Sequence, residues 1–211
     1  MNYVVSNFEK VKKIIGNNVN IIAVSKSFKY DHIKPLIEYG HRHFGENKVQ
    51  EAQHKWLDIK NVLLDLKLHM IGKLQTNKAK QAVDLFDYIH SVDSLKLAAL
   101  LSKYESNLKK KRKYFIQINL GNEKQKSGIL IDELKFFFDH CTKVLNLEII
   151  GLMTIPPNDG NEAKYFRTLM NLNRSLGLKE LSMGMSGDFT EAIKHNATFV
   201  RIGSAIFGKR I

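Results

Sequence analysis

Short apolar runs alternate along the chain with longer segments whose apolar residues recur every three or four positions. The short runs are typical of buried β-strands, and the longer segments are typical of amphipathic helices. Eight of the short runs predict strands: Ile21–Ser25, His41–Gly45, Leu66–Gly72, Tyr88–Val92, Tyr114–Leu120, Leu147–Thr154, Glu180–Met185 and Phe199–Gly203.

The segments between these runs predict helices with one apolar face. After the second strand, for example, Val49, Ala52 and Trp56 share a face at helical spacing. Asp31 and Ser94 are of the residue types that accept a hydrogen bond at a helix start, so we expect both to be N-caps. Four segments carry the clearest helical pattern: Asn47–Ile59, Ser94–Leu108, Ile131–Val144 and Glu162–Leu176.

Regular alternation of strands and helices indicates an α/β protein with parallel strands and crossover helices. Eight such units favour a closed (β/α)₈ TIM barrel, with an open doubly wound sheet as the structural alternative. A barrel of this kind needs at least about 200 residues. We therefore expect the 211 residues to form a single domain, residues 1–211, without an added domain. Residues 1–16 predict an extra amphipathic helix before the first strand.

Composition excludes some classes of protein but does not identify a binding partner. The formal net charge of +12 would attract anions, but the lysines are spread along the chain and no motif indicates specific nucleic-acid binding. Without a long apolar run or a signal peptide, we expect no membrane span. The single cysteine, Cys141, is interpreted as a core residue, and its isolation agrees with a cytoplasmic protein. No cluster of cysteine and histidine predicts a metal site.

Lys26 directly follows the first predicted strand, at the end of a barrel where catalytic and binding residues lie. Burial disfavours the charged ammonium, and a neutral amine can attack an aldehyde to form an imine. One such lysine is a weak signal, because most lysines in the chain are expected to lie in solvent.

The loops after the seventh and eighth strands add a second signal. A barrel frequently binds phosphate there, where small residues let backbone N–H groups approach the oxygens. Ser186 and Gly187 follow the seventh strand, and Gly203 and Ser204 follow the eighth. Arg201 lies two positions before Gly203 and so faces the same side, where a guanidinium can meet a pyridine nitrogen. An amine, a phosphate site and a ring partner are the groups that pyridoxal 5′-phosphate (PLP) requires.

Segments distributed over nearly the whole chain resemble the pyridoxal phosphate homeostasis protein family, which shares its barrel with the N-terminal domain of alanine racemase. They are IIAVSKSF (Ile21–Phe28), HFGENKVQE (His43–Glu51), HMIGKLQTNKAK (His69–Lys80), IHSVDSLKLA (Ile89–Ala98), INLGNEKQKSGI (Ile118–Ile129), GLMTI (Gly151–Ile155), LSMGMSGDFTEAI (Leu181–Ile193) and VRIGSAIFG (Val200–Gly208).

The resemblance implies a role for each of eight residues. Lys26 would hold PLP as a Schiff base, and Arg201 would meet the pyridine nitrogen. The phosphate would lie against Ser186, Gly203 and Ser204. Asn47 and Met153 would line the mouth of the barrel, with Val24 beside the cofactor. The chain departs from the usual family pattern at Lys48, Lys73 and Gly187, where an aromatic residue, a histidine and an alanine are common.

The resemblance further implies a monomeric protein of intracellular vitamin B6 homeostasis that binds PLP without robust catalysis, so no catalytic residue is assigned. Its partners would be PLP and PLP-dependent apoenzymes. An amino-acid racemase or lyase of low activity remains the alternative function. Nonspecific nucleic-acid binding through the basic surface remains a third hypothesis.

Overall fold

The predicted strands close into a barrel in the computed structural model, which describes residues 2–123 and 125–208. All eight strands are parallel and pair in chain order, and the eighth pairs with the first. The prediction of a closed (β/α)₈ barrel is therefore confirmed, and the open sheet is wrong. Residues 1, 124 and 209–211 of the predicted domain 1–211 lie outside the described residues. The strands are β1 (Asn20–Val24), β2 (His43–Glu46), β3 (Lys67–Met70), β4 (Tyr88–Val92), β5 (Lys113–Gln117), β6 (Glu148–Met153), β7 (Glu180–Met185) and β8 (Phe199–Ile202).

The bounds of β4 and β7 are as predicted, and the other strands differ at their ends. β3 and β5 are shorter than predicted at their carboxyl ends. Ile71 and Ile118 continue the apolar pattern there and are buried, although they lie outside the strands. The apolar pattern thus indicates which residues are buried, and it continues past the ends of the strands.

The described residues form nine helices: α1 (Tyr3–Ile15), α2 (Tyr30–Glu38), α3 (Val49–Val62), α4 (Ala79–Leu85), α5 (Leu95–Leu108), α6 (Leu134–Asp139), α7 (Glu162–Ser175), α8 (Phe189–Lys194) and α9 (Ser204–Phe207). The prediction of one helix over Ile131–Val144 is wrong in detail, because α6 occupies its middle and a π-helical turn follows over His140–Val144.

The extra N-terminal helix is confirmed as α1. The Asn2 side chain caps it by accepting a hydrogen bond from the Val4 N–H at 2.9 Å. One apolar face of α1, with Val4, Phe8, Val11 and Ile15, is buried in the outer core. On the same helix, Asn7 Nδ2 donates to the Ile206 carbonyl at 3.2 Å. The helix therefore holds α9, the short helix that starts immediately after β8.

One of the two predicted N-caps is confirmed. Ser94 precedes α5, and its hydroxyl accepts a hydrogen bond from the Leu97 N–H at 3.4 Å. Asp31 is not an N-cap, because α2 begins one residue earlier and Lys29 is the cap. Asp31 instead lies in the first turn of α2, where its negative charge interacts favourably with the positive end of the helix dipole.

Most of the apolar core lies between the strands and the surrounding helices, and a second, smaller cluster fills the inside of the barrel with Ile22, Phe115, Met153 and Phe199. Cys141 belongs to the outer core, where burial raises the pKa of its thiol to about 12. It is the core residue that the sequence predicts. Among the described helices, none has the length and apolar character that crossing a membrane requires.

Candidate functional site

A cavity of about 540 Å³ opens at the carboxyl ends of the strands. Its volume suits a small organic ligand. Seven of the eight residues predicted for the site line it: Val24, Lys26, Asn47, Ser186, Arg201, Gly203 and Ser204. The cavity thus brings the lysine that follows β1 together with the loops that follow β7 and β8.

Lys26 lies in a tight loop between β1 and α2. The loop is fixed by its backbone: the Ser25 N–H donates to the Gly45 carbonyl at 3.0 Å, and the Ser27 N–H donates to Glu51 Oε1. Ser27 has a φ of 67°, in the left-handed region that residues other than glycine adopt only when their surroundings hold them there. The Glu51 hydrogen bond therefore helps to fix the direction in which Lys26 leaves the strand.

A buried ion pair between the last residue of β2 and a residue of α3 supports the same loop. Lys55 Nζ lies 3.0 Å from Glu46 Oε1, and the two side chains are 8% and 0% exposed. Lys55 also donates to the Ser25 carbonyl at 2.9 Å, and the Ser25 hydroxyl donates to Glu46 Oε1 at 2.7 Å. Trp56 Nε1 donates to that oxygen as well. Glu46 and Lys55 are site residues that sequence reasoning missed.

Asn47 reaches the cavity because the loop after β3 passes very close to it. A Cβ at Gly72 would lie 2.5 Å from the Asn47 carbonyl oxygen and 2.7 Å from its Cα. Only glycine permits that approach without moving the backbone. The Gly72 position thus explains why the loops after β2 and β3 converge on the cavity.

Ser186 joins the two loops predicted to bind phosphate. Its Oγ accepts hydrogen bonds from the Gly203 N–H at 3.3 Å and from the Ala205 N–H at 3.4 Å. Because a hydroxyl has two acceptor positions and one hydrogen, that hydrogen remains to donate elsewhere. Ser204 is the first residue of α9 and lines the cavity beside Ser186. Two hydroxyl groups and glycine backbone therefore meet at one wall.

Arg201 differs from Lys55, because it is a buried cation held by neutral groups and not by a carboxylate. Its Nη1 donates to Ser182 Oγ and its Nη2 to the Thr154 carbonyl, each at 2.8 Å. The side chain is buried, yet it lines the cavity. Burial lowers the pKa of Arg201 to about 10, a fall that the charge of Asp188 opposes, so the guanidinium stays cationic at neutral pH. No carboxylate pairs with it among the described residues.

Met153 is not a mouth residue, contrary to the prediction. It is the last residue of β6, but it is fully buried and packs inside the barrel with Ile22, Phe115 and Phe199. Its position at a strand end is as predicted, and its depth is not. The residues that do line the mouth near β6 include Ile155, two positions further on.

Several apolar residues complete the cavity and were not predicted: Phe28, Ile71, Ile155 and Met185. Each follows or ends a strand, so the rule that barrel sites form at strand ends could have indicated them. Together with Val24 they provide flat apolar contact for a ring. The cavity thus offers an amine, a guanidinium, hydroxyl donors and apolar walls. In the described parts of the chain, no three His, Cys, Asp or Glu side chains are arranged to hold a metal ion.

Comparison with known proteins places this arrangement in a family. The model of the alanine racemase N-terminal domain matches residues 2–210. The pyridoxal phosphate homeostasis protein of Synechocystis sp. is 38% identical over 213 residues, with 97% of each chain covered. The protein of the same name from Escherichia coli is 35% identical over 201 residues, which span 91% of this chain and 86% of that one.

Solved structures agree with the sequence comparison. PipY of Synechococcus elongatus, solved both without and with PLP, matches with a TM-score of 0.90 and 34% identity, over 97% of this chain and 100% of PipY. Alanine racemase from Corynebacterium glutamicum matches with a TM-score of 0.73 at 21% identity, which shows a shared fold over 60% of that enzyme. The chain therefore belongs to the alanine racemase N-terminal domain family and, within it, to the pyridoxal phosphate homeostasis proteins.

Proposed function

We propose that this protein binds PLP in the cavity at the carboxyl end of the barrel, as a Schiff base on Lys26, and serves vitamin B6 homeostasis. In this binding step the lysine amine and the aldehyde carbon form a C=N bond, and the aldehyde oxygen leaves as water. The proposal rests on the family membership, on the relatives' names and on PipY, which was solved with PLP bound.

The observation that carries the proposal is the pairing of Lys26 with Arg201 across one cavity. A buried cation without a carboxylate partner is costly, and a ligand that presents a lone pair or a negative charge lowers that cost. A ligand with its pyridine nitrogen at Arg201 and its aldehyde at Lys26 would contact both basic side chains with opposite ends of one ring.

The remaining residues also fit this ligand. Ser186 and Ser204 supply hydroxyl donors for a phosphate, and Gly187 and Gly203 leave backbone accessible beside them. A Cβ at Gly187 would meet no atom within 4 Å, so the wall is open on the side where a phosphate would lie. Val24 and Ile71 supply apolar surface for the ring faces.

We further propose that the protein has no robust catalytic activity of its own. Bound PLP supplies an electron sink at its ring, but racemisation also needs groups that move protons on both faces of the substrate carbon. Of the described residues that line the cavity, only Lys26 and Arg201 titrate, and Arg201 stays charged. Lys26 could move a proton on one face, and the other face has no such group.

Absorbance spectroscopy of the purified protein with added PLP tests the binding mode. We expect an imine band that the Lys26→Ala variant lacks. Lys29→Ala is the matched control, because Lys29 is exposed and does not line the cavity, and this variant should keep the band. An unchanged spectrum in Lys26→Ala would exclude the Schiff base at this residue.

A heavy-water experiment tests the absence of robust catalysis. The PLP-loaded protein is incubated with D- and L-amino acids in heavy water, and deuterium at the α-carbon is measured. We expect exchange no faster than with free PLP. Exchange at enzyme-like rates that Lys26→Ala abolishes would instead establish the racemase or lyase function.

A further inference from the structure

Five polar side chains form a continuous hydrogen-bonded chain through the inside of the barrel. His43 Nδ1 lies 3.0 Å from His69 Nε2, and His69 Nδ1 lies 2.9 Å from His90 Nε2. His90 Nδ1 lies 2.8 Å from Ser182 Oγ, which accepts the hydrogen bond from Arg201. The chain therefore starts at the first residue of β2 and ends at the guanidinium that lines the cavity.

Aromatic packing fixes the histidine rings in this chain. His69 stacks on Tyr88 with ring centroids 4.3 Å apart and planes at 9°, and His90 stacks on Phe115 at 4.3 Å and 16°. Both histidines are fully buried. Rings packed in this way keep each nitrogen pointing at one neighbour. The positions of the hydrogens therefore decide which ring donates and which accepts in each hydrogen bond.

Burial keeps the three histidines neutral. It lowers the pKa of His43, and it lowers those of His69 and His90 well below the ordinary histidine value. A neutral imidazole carries one N–H and one acceptor nitrogen. Each ring in the chain must therefore accept from one neighbour and donate to the other, and all the hydrogen bonds must run in the same direction.

The hydrogen bond from Arg201 to Ser182 favours one of the two directions. A guanidinium only donates, so Ser182 Oγ must accept from it. If His90 also donated to Ser182, the serine hydrogen would have no acceptor among the described residues. In the opposite direction each hydrogen inside the chain has an acceptor, with Ser182 donating to His90, His90 to His69, and His69 to His43. The remaining hydrogen is on Nε2 of His43, which is only half-buried. All three histidines then carry their hydrogen on Nε2.

The direction changes how well Ser182 holds Arg201. A hydroxyl that donates its own hydrogen is polarised and becomes a better acceptor, because hydrogen bonds in a chain strengthen one another. A hydroxyl that accepts from both neighbours and leaves its hydrogen unpaired in an apolar interior is a poorer one. The strength of the hydrogen bond from Arg201 to Ser182 thus depends on whether the residue at the other end of the hydrogen-bonded chain accepts or donates.

We propose that His43, His69, His90 and Ser182 are positioning residues that act through Arg201: His43, by accepting at the far end of the barrel, sets the direction of the chain and with it the contact between Arg201 and the ring of the bound cofactor. This inference rests on the proposed function, since the ring partner is the PLP pyridine nitrogen. It assigns a binding role to residues that do not touch the ligand.

Two substitutions at His43 hold the chain in opposite directions. His43→Glu replaces it with a carboxylate, which accepts when ionised and keeps the direction. His43→Lys replaces it with an ammonium, which only donates and forces the chain to reverse. His54→Lys is the control for added charge, because His54 is an exposed residue of α3.

The first readout is the position of the hydrogens in the protein without PLP. Nitrogen chemical shifts of ¹⁵N-labelled histidine distinguish the two tautomers. We expect Nε2–H at His69 and His90 in the wild type, in His43→Glu and in His54→Lys, and Nδ1–H at both residues in His43→Lys. Nδ1–H in the wild type, which needs no variant to fold, would overturn the proposal, as would unchanged tautomers in a folded His43→Lys.

The second readout is PLP affinity, followed by titration of the imine band. A neutral hydrogen bond contributes about 1 kcal/mol, so His43→Lys should bind PLP about five-fold more weakly than His43→Glu and the control. Equal affinities in the two variants would contradict the coupling to Arg201. A wild type that binds no PLP would refute the proposed function and leave the tautomer result standing on its own.

Discussion

The two basic residues that line the cavity, Lys26 and Arg201, are held in opposite ways. The loop that carries Lys26 rests on a buried ion pair, in which Lys55 lies 3.0 Å from Glu46. Arg201 is held by two neutral acceptors, the Ser182 hydroxyl and the Thr154 carbonyl. One side of the cavity therefore balances its charges within the protein, and the other does not.

This difference separates stability from affinity. On the Lys26 side, breaking the ion pair leaves a buried carboxylate without its cation, which destabilises the fold itself. On the Arg201 side, the uncompensated guanidinium is available to a ligand. We therefore expect substitutions behind Lys26 to act mainly on the free energy of unfolding, and substitutions at Arg201 to act mainly on PLP binding.

Lys55→Met should give the largest effect. It removes the cation from a pair whose carboxylate is fully buried, and breaking a pair of this kind costs roughly 3–5 kcal/mol of unfolding free energy. Urea denaturation measures the loss. Lys34→Met is the matched control, since Lys34 and Glu38 form an exposed pair at the same i,i+4 spacing as Lys55 and Glu51, and it should change stability by no more than about 1 kcal/mol.

Arg201→Met should lower PLP affinity more than it lowers the free energy of unfolding. Hydrogen bonds to charged groups contribute about 1.5–3 kcal/mol, so PLP affinity should fall roughly 10- to 100-fold. The unfolding free energy should fall less than in Lys55→Met. Titration of the imine band and urea denaturation of the same samples provide the two values, with the exposed Arg174→Met as control. A variant that unfolds as easily as Lys55→Met but keeps its PLP affinity would contradict the comparison.

Acid should destabilise the protein through its buried histidines. Burial lowers the pKa of His41 to about 4, so the unfolded chain binds that proton more readily and stability falls as the pH drops below 6.5. By pH 5 this residue alone accounts for about 2 kcal/mol. Burial, with a smaller contribution from the charge of Arg201, also lowers the pKa of His90 well below its ordinary value, so His90 should contribute further loss.

Urea denaturation at pH 7 and pH 5 measures this loss. The wild type should lose at least about 2 kcal/mol over this window, because its buried histidines bind protons less readily than the unfolded chain does. Arg174→Met should lose as much, since Arg174 is exposed. A stability that stays constant between pH 7 and pH 5 would contradict the burial of these histidines.

Ser186→Ala should give the smallest effect, and one that depends on the phosphate. Losing one hydroxyl donor costs about 1 kcal/mol, which corresponds to about a five-fold fall in PLP affinity. Pyridoxal, which lacks the phosphate, should bind Ser186→Ala and the wild type alike. Ser175→Ala, an exposed serine of α7, should leave both affinities unchanged. An equal fall for both ligands would place the phosphate elsewhere.

Much of the fold and part of the site follow from local sequence pattern. Alternating strands and helices predict the barrel, and the barrel rule then directs attention to Lys26, to Ser186 and to the loop after β8. These residues follow strands directly, so their end of the barrel can be deduced from their place in the chain. How deeply a residue at a strand end is buried cannot be deduced in this way. Met153 ends β6, but it packs inside the barrel with Phe115.

The supporting contacts join residues that are distant in the chain, and no local pattern indicates them. Glu46 ends β2, and Lys55 lies within α3, and only the packed structure shows that they share a buried contact with Ser25. The histidine chain likewise joins β2, β3, β4 and β7, whose inward-facing polar residues look unrelated in sequence. Such contacts depend on register and burial, which the closed barrel sets.

Borohydride reduction of the PLP-loaded protein, followed by peptide mass spectrometry, tests directly whether Lys26 carries the Schiff base. Reduction fixes the imine as a stable phosphopyridoxyl group on whichever lysine carries it. We expect this group on the peptide containing Lys26, and we expect it to be absent from Lys26→Ala. A phosphopyridoxyl group on another lysine, with Lys26 unmodified, would contradict the proposed Schiff base.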